Sequence, residues 1–191
     1  MKKVILTSLI ILISLQMFSQ AKKKKATLLF KDGKELNCLA RISGDNIRYV
    51  ESDRRAEEVV VDDKELNGIK IWMNDQQIEL YYKTEEGKAK PKLMQLVLKG
   101  KIKLYRISDT YEKNIGFSSN ENYFNDKSAS TVYFLESSEN KGFVFRFARN
   151  FEENAKKYFA DCNTLSEKIG KDDFRKKDIF KIVLYYNENC N

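Results

Sequence analysis

Histidine does not occur among the 191 residues, and its absence removes Ser-His-Asp and Cys-His nucleophilic sites, His-based zinc sites and the commonest general base together. Any bond-making chemistry would have to use carboxylates, lysine, tyrosine or cysteine. Cysteine is scarce as well: Cys38, Cys162 and Cys190 show no C-x-x-C spacing. A thiolate metal site would therefore draw on scattered residues and still lack a fourth ligand. There is no glycine-rich phosphate loop. These absences leave no motif for a metal, a cofactor or a catalytic centre, and none is expected.

A single proline and eight glycines are spread along the chain, with no Pro-rich or Ser-rich linker to separate domains. Long apolar runs are missing too, except at the start. In "MKKVILTSLIILISLQMFSQ" two lysines precede an uncharged, mostly aliphatic stretch from Val4 to Leu15 and then a short polar region. That is the layout of a secretory signal peptide. The apolar stretch is short of the roughly 20 residues that span a bilayer as a helix, and no cysteine follows it to accept a lipid anchor. Residues 1–19 are read as a signal peptide, cleaved near Ser19-Gln20, and the product as secreted or periplasmic and not integral to the membrane.

The formal charge of +7 falls to +5 without Lys2 and Lys3, and to +1 without Lys22 to Lys25 as well. The body of the chain is thus nearly neutral and lacks the overall basic signature of a nucleic-acid binder. Residues 20–25 read as a flexible basic lead-in, and residues 26–191 as one domain with a real core.

Within that domain residues 26–148 are β-rich. "ATLLF" and "ELNCLARI" flank Lys31-Asp32-Gly33, and an Asp-Gly between two such runs is a hairpin signal. "SGDN" is the next turn, followed by "IRYVE" and "EEVVVD". "IKIWM" and "IELYYK" flank Asn74-Asp75-Gln76. "KLMQLVL" and "IKLYRI" flank Lys99-Gly100, where the glycine is expected to supply a positive φ. Thr110 to Ser130 is polar and reads as an irregular loop, its Tyr111, Phe117, Tyr123 and Phe124 pinning it to the body. "TVYFLES" and "FVFRFA" read as a last hairpin.

From residue 150 to residue 190 the apolar period becomes helical. Phe151, Ala155, Tyr158 and Phe159 form one stripe with Asn150 as cap. Thr164 with Glu167 matches a capping box for a second helix ending at Gly170. A third helix, capped by Asp172 or Asp173, presents Ile179, Ile182, Val183 and Tyr186 on one face. The fold class is α+β: an antiparallel β-meander forming a strongly curved sheet or barrel-like body, followed by two or three C-terminal helices packed on it.

In an exported protein two of the three cysteines are expected to pair, with Cys38 buried on a strand. For Cys162 and Cys190 a simple helical hairpin about Lys171 is the wrong geometry. It leaves them about 13 Å apart along the axis, whereas a bridge needs Cα atoms within about 7 Å. Either "NENC" folds back or the helices cross steeply and a disulfide forms, or the two thiols stay unpaired. The carboxylates Glu57, Glu58, Asp62, Asp63, Glu85 and Glu86 are the candidates for acid–base work on sugars. None stands out, since adjacent acids at strand ends are usually solvated turn charges.

The succession of "LLFKDGKELNCLARI", "LNGIKI", "LVLKGKIKLYRI" and "YFADCNTLSEKI…IFKIVLYYNENC" resembles a widespread group of uncharacterised exported proteins from Bacteroidota. The likeness implies a signal-peptide-bearing, secreted or periplasmic β-rich domain with a helical C-terminus, and it brings no catalytic or binding residues. The function expected is that of a non-enzymatic exported module that binds a protein, a glycan or another envelope component. The alternative is a carrier of a small apolar ligand inside a curved sheet or barrel.

Overall fold

The computed structural model describes residues 23–51, 56–73, 76–107, 131–137, 146, 150–171 and 174–190, and the backbone of 143–144. The signal-peptide reading, the Thr110 to Ser130 loop and the Asp172 or Asp173 cap lie outside the described residues. Ten strands form one sheet: β1 (Lys24–Phe30), β2 (Glu35–Ser43), β3 (Asn46–Val50), β4 (Val59–Val61), β5 (Leu66–Met73), β6 (Gln76–Glu85), β7 (Pro91–Leu98), β8 (Ile102–Ile107), β9 (Val132–Ser137) and β10 (Phe143–Val144). Among the described residues three helices follow, α1 (Phe151–Tyr158), α2 (Asn163–Lys168) and α3 (Ile179–Asn189), with a 3₁₀ turn at Lys176–Asp178 leading into α3. Among the described residues no helix is long and apolar enough to cross a membrane.

The strand order is β4-β3-β2-β1-β5-β6-β7-β8-β9. This corrects the expected strongly curved or barrel-like body. Closure requires the outermost strands to pair, and here β4 and β9 are the two ends of an open path. The first strand is not an edge either. Ala26 and Leu28 of β1 pair with Cys38 and Leu36 on one side and with Ile71 and Ile69 on the other, so the sheet grows outward from β1 in both directions. β1 also takes up Lys24 and Lys25, two residues that the sequence assigns to a flexible lead-in.

The last hairpin is a second correction. β10 pairs with β6 in parallel, Phe143 with Thr84 and Val144 with Glu85, instead of antiparallel with β9. The space for it exists because β6 outruns its neighbour: the β5 ladder on β6 stops at Tyr81, while the β7 ladder continues to Thr84.

Alternation along the strands sends apolar side chains to one face. One cluster there joins Leu28, Ala40, Ile47, Ile69, Ile71 and Leu80 across β1 to β6. A second gathers Ile102, Leu104 and Leu135 under the helices, against Phe159, Leu165, Ile182 and Val183. Ile179, Ile182, Val183 and Tyr186 are the buried residues of α3, the face that their spacing predicts. Each such side chain contributes roughly 1.5–3 kcal/mol when fully buried, which makes α3 part of the core. A third cluster, Met94, Tyr105 and Phe134, lies across β7, β8 and β9.

Asn187 fastens α3 to the sheet. Its side chain accepts from the Ile102 N–H at 2.8 Å and donates to the Ile102 carbonyl at 2.9 Å. Gly100 makes room for it, since a Cβ there would stand 2.3 Å from Asn187 Nδ2. The expected positive φ at Gly100 is not found; among the described residues the left-handed glycines are Gly33, Gly44, Gly87 and Gly170. Size, not backbone freedom, is what this turn requires of its glycine.

Candidate functional site

Cys162 and Cys190 are joined by a disulfide with Cα atoms 5.5 Å apart, across 28 residues. Cys162 is the N-cap of α2, and Cys190 ends α3 in an extended conformation. The short α2 and the non-helical end of α3 together remove the axial gap that a long helical hairpin imposes. The bridge lies in the core beside Leu165 and Tyr186 and is structural. Cys38 is a buried free thiol whose pKa burial pushes up to about 11, with help from the Glu51 charge, so at neutral pH it is a protonated core side chain.

The carboxylates separate into different roles. Asp62 shapes the β4–β5 turn: its side chain accepts from the Lys64 N–H at 2.8 Å, and its carbonyl accepts from Leu66 at 3.1 Å. The Glu85 carbonyl accepts from Lys88 in the β6–β7 turn. The Asp62 side chain fits the reading of acids at strand ends as turn charges.

Glu58 does not. The β2–β3 hairpin closes with Ser43 opposite Asn46, which sets Arg41 opposite Arg48 and then Val60 opposite Arg48. Directly opposed like charges are destabilising unless an anion lies between them. Glu58 supplies it. Arg41 donates from Nε to one carboxylate oxygen at 3.2 Å and from Nη2 to the other at 2.7 Å. Lys23 approaches at 3.2 Å and Arg48 Nη1 at 4.0 Å. The bonds from Arg41 hold the Glu58 carboxyl below its usual range; partial burial opposes this and Lys23 reinforces it.

Three cations thus surround one carboxylate on the face opposite the first apolar cluster. Lys24 pairs with Ala40, so Lys23 lines up with Arg41 in the same row. The same face carries Thr27 bonded to Asn37 and Lys70 to Glu35, together with the apolar Leu29, Leu39, Val50 and Val60. Two apolar side chains are well exposed there: Val60, at 48%, and Trp72, the only tryptophan of the chain, at 47%. One register step beyond the Ala26–Ile71 pair, Trp72 falls beside the exposed Lys25.

A second charged group is closed. Glu136 on β9 accepts from Lys83 Nζ at 2.5 Å and from the Tyr105 hydroxyl at 2.7 Å, with Lys103 Nζ at 3.5 Å. Burial alone would raise its pKa, but the bonds from Lys83 and Tyr105 and the lysine charges outweigh it and hold the carboxyl low. Desolvation, followed by the bond to Glu136, drives the Tyr105 hydroxyl well above its ordinary range. The acid is ionised, the phenol neutral and every oxygen engaged, so the cluster has nothing left to offer a substrate. A hollow of about 510 Å³ beside the start of α1 is lined by Asn150, Phe151, Glu152, Glu153 and Lys156, a charged lining unlike the apolar cavity of a carrier.

The cation row escapes the sequence because its members lie on β2 and β3 and just before β1 and β4. One signal was available: counting outward from the "SGDN" turn sets Arg41 against Arg48. Compared with models of protein families, with curated proteins and with solved structures, the chain matches none.

Proposed function

We propose that this is an exported, non-enzymatic module that binds an envelope or extracellular component through the face of β1 to β5 that carries Arg41, Arg48 and Trp72. The observation that carries the reading is the opposition of Arg41 and Arg48, neutralised by one borrowed carboxylate and set on the same face as a half-exposed tryptophan. The core needs no such arrangement. Opposed arginines cost stability, and a half-exposed tryptophan on this face adds nothing to the apolar cluster on the other side. Arginine and tryptophan are also the residues that most often dominate binding surfaces.

Native mass spectrometry of protein recovered from its own host tests this. A non-covalently bound mass is expected on the wild type and is expected to disappear from a doubly substituted Arg48→Ala, Trp72→Ala protein. Recovery of the bare chain alone, or a bound mass that the double variant retains, overturns the reading.

A further inference from the structure

We infer that Asn67 is a site of self-modification: its side-chain amide is lost to attack by the Gly68 main-chain nitrogen, leaving aspartate or isoaspartate in β5 and loosening the strand there. Asn67-Gly68 is the one Asn-Gly pair of the chain. Such a pair is usually the turn of a hairpin, yet here it lies inside the strand Leu66–Met73. A β-bulge accounts for this. Gly68 pairs with Leu29 and Leu66 with Phe30, so Asn67 is the extra residue, with no register partner on β1. On the other side the β6 ladder ends at the Gly68–Tyr81 pair, one residue short of Asn67. The Asn67 side chain is exposed and held by one long bond, from Nδ2 to the Phe30 carbonyl at 3.3 Å.

The chemistry needs only water. The Gly68 nitrogen, having given up its proton, bonds to Cγ of Asn67, and the side-chain nitrogen leaves as ammonia from the five-membered succinimide that results. Water then opens the ring. Addition at Cγ restores the normal main chain with an aspartate at position 67, whereas addition at the main-chain carbonyl routes the chain through the side chain as isoaspartate. Glycine favours the closure, because it has no Cβ to hinder its nitrogen or restrict its rotation. Packing also requires glycine here, since a Cβ would stand 2.1 Å from the Leu80 carbonyl oxygen. The opposing factor is the β1 ladder, which resumes at Gly68, so the attack waits for a local opening. Beside a bulge and at the end of the β6 ladder, such an opening is needed over only a few residues.

The product fits the site less well than the amide. Nδ2 of Asn67 donates to the Phe30 carbonyl, whereas an ionised carboxylate only accepts. Two acceptors then face each other with no proton between them, and isoaspartate adds a methylene to the main chain of the bulge as well. Phe30 packs on the first apolar cluster, and Leu66, next to Asn67, is fully buried in it. The modification therefore acts at the rim of the core.

Peptide mass spectrometry of the folded protein, sampled during incubation in warm, mildly alkaline buffer, tests this. The Asn67 peptide is expected to gain the mass difference between an amide and an acid, and to split into aspartate and isoaspartate forms. It should do so several-fold sooner than the peptides holding Asn37 and Asn46, which precede Cys38 and Ile47. The rate should rise with pH, because the attacking nitrogen must lose its proton, and rise further when guanidinium unfolds the chain. Asn67→Gln, whose longer side chain closes a less favourable ring, should abolish the gain. Asn67→Asp, which installs the aspartate product in full, should lower the urea midpoint. An Asn67 peptide that stays unchanged in the folded protein while the unfolded chain converts completely overturns the site. Conversion at Asn37 or Asn46 at the same rate, or aspartate without isoaspartate, overturns the attack by Gly68. An Asn67→Asp protein with the wild-type midpoint overturns the loosening.

Discussion

A carboxylate taken out of water must be matched, and Glu136 is matched on both oxygens by Lys83 and Tyr105. Its pKa in the folded protein is lowered from a value near 4.3 in the unfolded chain. The sign follows: its stabilisation is fully present above the unfolded value and is lost as pH falls through the folded one. We expect Glu136→Gln to cost about 2 kcal/mol at pH 7, since Lys83, only 16% exposed, loses its partner charge. The deficit should begin to shrink as pH falls below the unfolded value of about 4.3 and go on shrinking as the wild-type acid takes up its proton at the lower folded value. Urea denaturation of both proteins at pH 7 and at pH 3 measures this, and a gap of equal size at the two pH values would refute the linkage. Neither Glu136 nor Glu58 is distinguishable by type or neighbours in the sequence. What sets them apart is cross-strand register, which for Glu136 joins β8 and β9 across a stretch of 24 residues between Ile107 and Val132.

At the scale of elements, local signals were legible where local physics decides. The apolar period of α3 names its buried face because a 3.6-residue repeat has one inward stripe. The Thr164–Glu167 capping box fails because α2 begins at Asn163 and Cys162 stands at the N-cap, with no side-chain cap bond. The Cys162 sulfur instead forms the bridge that fixes α2 to the end of α3. Pairing of β10 with β6 was not legible, as it depends on β5 ending before β6 does, a fact of tertiary registration. The bridge closes a loop of 28 residues, and restricting the unfolded chain over that length is worth about 3 kcal/mol. Cys190→Ser is therefore expected to lower the melting temperature by several degrees. Thiol titration of the denatured wild type should find one reactive group, Cys38. In the folded protein that thiol should alkylate slowly, because burial raises its pKa to about 11. Three reactive thiols in protein recovered from an oxidising compartment would exclude the bridge.

The whole molecule poses a question that strand reading alone leaves open, because its apolar residues divide between a cluster on β1 to β6 and another beneath the helices. Two such clusters can belong to two domains or to one. Continuity favours one. Leu93 of β7 joins the first cluster, and Val97 and Leu98 of the same strand pack on the second. The β6–β7 and β7–β8 ladders carry hydrogen bonds from one half to the other without a linker. Asn187, bonded twice to Ile102, couples α3 to the strand next to β7. Splitting the halves at β7 would disturb the third cluster, where the fully buried Met94 packs with Tyr105 and Phe134, and would break a ladder in mid-sheet. We expect one cooperative unfolding transition. Trp72, the only tryptophan, reports on the β1 to β6 half by fluorescence, while the far-ultraviolet signal at helical wavelengths reports on α1 to α3. In urea the two curves should superimpose, with one midpoint and one slope. A helical transition that precedes the tryptophan transition would mean that the C-terminal cover melts on its own, and the chain would then be two units sharing a sheet.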